Sequence, residues 1–320
     1  METVHEVLIS LAERYSFADV AALVAQGADV ELSTREIAQV QQLCVFGQRL
    51  LDLDAEDFGE DHVPAELRTR ALACRMPQAP GEADRGALAS LRPAYALLLE
   101  VIAARWERRE MTGVVAAVHI VSEYASLLVW ERVLGHAGDP ARLPADVRGD
   151  DSLWGEDTRE CPQTKAEKSA ALRSVKVAHE PPSGWRAYLD RLHSLTSHAF
   201  GVCAAACPRP CSVLLRHSRA EIELLDVGCK LAATLGDSGL VRLRHAAPVG
   251  HGFGVPSRNE VLEAWERGRP SLARYAPAVA EPDGYPLPGF TALISALAGT
   301  PIRPSTLLAD TARELALALK

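Results

Sequence analysis

From Val114 to Trp130 the chain runs almost without a break through apolar residues, interrupted only by small residues and by His119, Ser122, Glu123 and Ser126. A segment of this kind cannot lie on a surface, because its apolar side chains point in every direction around a helix axis. It also cannot face lipid comfortably, since a bilayer span needs about 20 mostly apolar residues and tolerates no unpaired carboxylate. The expectation is therefore a buried helix wrapped by other helices. Those partners must carry amphipathic stripes.

Such stripes recur along the sequence. Val4, Val7, Leu8 and Leu11 follow the i, i+3, i+4, i+7 spacing that gathers apolar groups on one helical face. Start signals accompany them: Ser33 with Glu36, Thr164 with Glu167, Ser218 with Glu221 and Ser257 with Glu260 can each close a capping box over the free amides of a first turn. The pattern predicts helices near residues 2–14, 17–26, 34–52, 64–74, 94–109, 112–134, 165–177, 184–206, 219–235, 258–267, 288–298 and 304–319. Period-two alternation of β-branched residues is nearly absent, and only Cys211–Arg216 and Leu240–His245 suggest a small hairpin. The fold class expected is all-α, a multi-helix globular bundle. A Gly-, Pro- and Asp-rich stretch, residues 135–162, joins subregions 1–134 and 163–320 of what reads as a single domain.

Composition narrows the function classes. A formal charge of -8 and a pI near 5.7 argue against nucleic acid as a partner, because phosphate binding requires clustered Lys and Arg. The opening METVHEVLISLAERYS has acids among its apolar positions and no basic flank, so it does not read as a signal peptide or membrane anchor. Seven cysteines, an odd number, then point to reduced thiols or metal ligands in a cytoplasmic setting rather than to a disulfide framework. The expected partners are a small-molecule substrate and, at most, further copies of the same chain.

Two constellations could carry chemistry. In GVCAAACPRPC, Cys203 and Cys207 fall one turn apart at a helix end, and Pro208 and Pro210 can turn the chain so that Cys211 returns toward them. With Cys161 or Cys229 as a fourth thiolate they could hold an iron-sulfur cluster or structural zinc; the alternative is three small cysteines packing a helix. The second constellation is His119 with Glu123, one turn apart on the apolar helix. There the carboxylate could orient a catalytic imidazole or join it on a metal, or the pair could simply be a satisfied core histidine. The glycines of RHAAPVGHGFGVPS match no phosphate-binding pattern and read as a loop.

The stretch HIVSEYASLLVWERVLGHAGDP, with His119 and His136, resembles the layout of histidine-ligated haem oxygenases, the tryptophan dioxygenases and haem-dependent tyrosine hydroxylases. That resemblance implies haem b bound between helices. It makes His245, His198 or His193 the proximal ligand, with His119 or His136 on the distal side and Glu123 beside His119. The function it implies is an iron-dependent oxidoreductase acting on a small, aromatic metabolite. An iron-sulfur or zinc protein using Cys203, Cys207, Cys211 and Cys161 is one alternative. A helical interaction or regulatory module without catalysis is another.

Overall fold

A computed structural model describes residues 3–27, 32–54, 63–77, 82–139, 142, 219–247, 250 and 252–320. The helices predicted at 165–177 and 184–206 lie outside them, as do Thr164 and Ser218 of two predicted capping boxes and the candidate strand Cys211–Arg216.

The described residues form twelve α-helices and one short 3-10 turn, with no strand among them, so the chain is an all-α, multi-helix globular protein. In chain order the first seven helices are α1 (Val4–Glu13), α2 (Phe17–Ala25), α3 (Thr34–Asp52), α4 (Ala65–Leu72), α5 (Gly86–Ala89), α6 (Arg92–Glu107) and α7 (Met111–Leu134). Then follow α8 (Arg219–Gly236), α9 (Gly239–Ala246), α10 (Arg258–Ala273), the 3-10 turn Pro277–Ala280, α11 (Phe290–Ala298) and α12 (Leu307–Ala318). The capping boxes at Ser33–Glu36 and Ser257–Glu260 are formed, with Ser33 N–H to Glu36 and Ser257 N–H to Glu260 both at 2.7 Å. Thr3 and Glu6 make a third at the start of α1.

Helix α7 is long and apolar enough to cross a bilayer by length and composition, yet half of its most apolar window is buried inside the protein. It is enclosed by α6, α8, α9 and α11, and it buries residues from Met111 through Glu131 on successive faces. Three hydrogen bonds fix α6 and its start against it. Tyr95 of α6 donates its hydroxyl to the Val121 carbonyl at 2.7 Å, and the buried Glu131 carboxylate accepts from the Leu91 amide at 2.8 Å and the Ser90 hydroxyl at 2.6 Å. Glu131 thus caps the start of α6 from another helix, answering amides that have no partner in their own turn.

Buried side chains fall into two clusters. One joins α6 and α7 to α8, α9, α10 and α11, with Trp130, Trp265 and Phe290 among its largest members. The other joins α1 to α4 and one face of α6 to α12, so the final helix packs with the first ones. In this second cluster the Phe17 ring lies directly on the backbone of α3 at Gly47, where an added Cβ would come within 2.7 Å of the ring.

The structure corrects one segment and extends another. Leu240–His245, which suggested a strand, lies within helix α9. Ser238 caps it by accepting from the Val241 amide at 3.3 Å. Leu240 and Val241 are buried side by side while Arg242 is exposed, a distribution that two-residue alternation cannot produce but a helix can. Helix α10 runs on to Ala273 through Pro270, beyond the expected end at 267. Pro270 removes one backbone hydrogen bond, and the complete burial of Leu272 offsets that loss.

Candidate functional site

The midpoint of α7 carries the densest group of functional polar side chains among those the sequence singled out. His119 and Glu123 are one helical turn apart, with Nε2 of the imidazole 2.8 Å from Oε1 of the carboxylate. Arg244 reaches across from α9, and its guanidinium meets the same Nε2. The His119 side chain keeps only 16% of its exposure, whereas Glu123 keeps 50%, so the carboxylate faces water and the imidazole lies beneath it. Nδ1 of His119 is buried without a hydrogen-bond partner.

One nitrogen cannot serve both neighbours at once. As an N–H it donates to Glu123; as a lone pair it accepts from Arg244. The first tautomer leaves a bare Nδ1 lone pair toward the interior, the second an N–H donor there. Burial holds the imidazole below its usual pKa, Glu123 pulls it back up, and the positive charges of Arg244 and His245 press it down. The result is a histidine whose neutral form burial favours, with a carboxylate as proton partner and a cation beside it. Such an arrangement can take up, hold or pass a proton.

His245 is exposed on α9 and close enough for its charge to act on His119. Two residues assigned different roles from sequence, His119 and His245, therefore share one neighbourhood. His136 does not join them. It sits past the end of α7, which Gly135 closes in the left-handed conformation at φ 71°. At a rise of about 1.5 Å per residue it lies beyond a helical span of roughly 22 Å from His119. Its buried imidazole accepts the Asp139 amide on Nδ1 at 2.8 Å. Asp139 in turn takes a bidentate pair from Arg85, at 2.9 and 2.6 Å, and the Ala137 amide bonds the Leu88 carbonyl at 2.9 Å. This corner fastens the end of α7 to α5, a structural duty that no spacing in the sequence announced. Arg244 was also not foreseen; its only signal was its place beside His245 in a segment that alternates like a strand.

His193, His198, Cys161, Cys203, Cys207 and Cys211 lie outside the described residues. Among the described residues no three His, Cys, Asp or Glu side chains converge on a point where a metal ion could sit. Nε2 of His119 faces a guanidinium, Nδ1 of His136 is taken by an amide, and His245 sits on an exposed face. Cys44, Cys74 and Cys229 are free thiols pushed up by burial to about 12, 12 and 11, which makes them poor ligands and weak nucleophiles.

Two pockets lie near these elements, and among the described residues no imidazole lines either. One, of about 80 Å³, is walled partly by Ile120 and Tyr124 of α7. Those side chains are rotated about 100° around the helix from His119 and Glu123. The other, of about 400 Å³, is an open groove between α2 and α3, floored by Phe17, Ala21 and Cys44, with Gln48 and Asp52 at its edge. Comparison with protein-family models, with characterised proteins and with solved structures returned no match for this chain.

Proposed function

We propose that the chain is an enzyme acting on a small metabolite, with His119 as its proton-handling group. Glu123 orients the imidazole and accepts its proton, and Arg244 supplies positive charge where a carboxylate or enolate of the substrate would face it. The observation that carries this reading is the Nε2 of a largely buried histidine held between a carboxylate at 2.8 Å and a guanidinium from another helix. The oxidoreductase form of the proposal also needs an iron centre. Its donors would come from Cys161, Cys203, Cys207 and Cys211 or from His193 and His198, and it is tested separately by visible absorption and metal content.

The test of the proton-handling role is turnover of a metabolite mixture followed by mass spectrometry. Wild-type protein should consume at least one component, and His119→Gln should abolish that change while leaving the folded spectrum intact. Equal consumption by both proteins would exclude His119 as the working group.

The groove between α2 and α3 favours a second reading, a helical module that binds another helix. Val45 there is 44% exposed beside buried Cys44 and Phe46, an apolar floor with a polar edge. Loss of a dimer in Val45→Glu, measured by sedimentation equilibrium, would support it; a wild-type monomer at all concentrations would remove a second copy of the chain as the occupant.

A further inference from the structure

The cavity of about 80 Å³ beside an adjacent face of α7 has a composition unlike that of the His119 site. Leu53 at the end of α3, Met76 beyond α4, Leu98 of α6 and Ile120 of α7 make its wall, and the rings of Tyr95 and Tyr124 close it. Among the described residues no charged side chain lines it. Its internal polar tips are engaged elsewhere: Tyr95 donates to the Val121 carbonyl at 2.7 Å, and the Cys74 thiol reaches the Arg70 carbonyl at 3.4 Å. Leu53 contributes to the wall from a left-handed backbone at φ 57°, a conformation that costs a leucine energy and must be held by its surroundings.

Protein interiors are close-packed, and voids much larger than a water molecule are few. A dry apolar cavity of about 150 Å³ admits benzene, so this one, about half that size, holds a short alkyl group or one edge of a single ring whose remainder extends toward the opening. Water there would find few partners. A charged ligand would lose its hydration and meet no countercharge.

We propose that this cavity is a binding site for a small uncharged molecule, or the apolar end of a larger one, carrying a single ring or short alkyl chain. Binding is non-covalent, because burial keeps the Cys74 thiol protonated. The site is independent of the role given to His119. Its α7 residues share a helical turn with that histidine but point to another face.

The experiment uses the full chain with benzene as probe and benzoate as its charged counterpart. Benzene near its aqueous solubility should raise the unfolding midpoint by a few degrees and shift the methyl resonances of Met76 and Ile120, while benzoate does neither. Ala94→Phe, which fills the cavity, should abolish both responses. His119→Gln should leave both unchanged, so this site and the proton-handling role fail separately. Absence of methyl shifts with benzene in the wild-type protein would overturn the proposal without need of a variant. An equal response to benzoate, or an undiminished benzene response in a folded Ala94→Phe protein, would overturn it as well.

Discussion

The two longest described helices, α3 and α7, solve opposite problems. Helix α3 is amphipathic: Val40, Leu43, Phe46, Leu50 and Leu51 are buried along one side while charged and amide side chains cover the other. Helix α7 is apolar on nearly every side and is enclosed by four neighbours. On α3 a polar side chain can turn to water at little cost. On α7 a polar side chain turned inward must find a partner on a neighbouring turn or in another element, and that requirement gathers chemistry there. Glu131 caps α6, His119 meets Glu123 and Arg244, and the Gly135 corner leads into the Arg85–Asp139 pair. The difference teaches that a helix with little solvent face concentrates polar contacts at a few positions, and that these divide into groups that fasten and groups that can react.

Substitutions can break this contrast at several strengths. The largest effect is expected from Trp265→Ala in the cluster around α7. Trp265 is fully buried, packs edge-on to Phe290 with ring centroids 5.4 Å apart, and donates to the Pro288 carbonyl at 2.9 Å. Its loss should cost about 3–5 kcal/mol in denaturant unfolding. Next is Arg85→Met. Removing the guanidinium takes the bidentate Arg85 pair from the Asp139 carboxylate, which is 1% exposed, and a cost of about 3 kcal/mol is expected. If the end of α7 were fastened only by packing, that substitution would be nearly neutral.

Glu100 sharpens the comparison from the other cluster. It is 7% exposed on α6, and its carboxylate accepts the Ala309 amide at 3.0 Å, capping the start of α12. Glu100→Ala should cost about 1–3 kcal/mol by leaving those amides unanswered. Burial raises the pKa of Glu100, with the amides and the Ser305 hydroxyl opposing that rise. A carboxyl raised in the folded state contributes stability that is present below its unfolded value, 4.5, and is lost as pH rises through the folded one. Glu100→Gln should keep an acceptor for Ala309 and lack that loss, so its stability advantage over wild type should grow with pH above about 4.5. The smallest effect is expected at the caps. Ser33→Ala and Ser257→Ala should each cost about 1 kcal/mol, read as earlier exchange of the first-turn amides of α3 and α10.

The all-α class and several helices were legible because they rest on local signals. Ser33–Glu36 and the stripe that follows it placed α3 over Thr34–Asp52, and the apolar run of α7 declared its own burial. Helix α9 was not legible, since Val241, Arg242, Leu243 and Arg244 alternate like a strand until Ser238 caps the turn and Leu240 and Val241 are buried together. The same blindness hid Arg244 from the site. The i, i+4 pair His119–Glu123 could be seen because both residues stand on one helix, whereas a partner more than a hundred positions away is chosen by tertiary packing. His136 was misleading for the converse reason: a histidine after a helix end looks available, but its surroundings bind it to Asp139.

The central claim is that Glu123 and Arg244 act in opposite senses on a largely buried His119 and so set its proton affinity. NMR titration of the His119 ring in wild type, Glu123→Gln and Arg244→Gln proteins tests it most directly. The wild-type midpoint should lie below the ordinary value of 6.5, fall further in Glu123→Gln and rise in Arg244→Gln. A wild-type midpoint at or above 6.5 that neither substitution moves would contradict the claim, and would leave His119 as a histidine that merely fills space on α7.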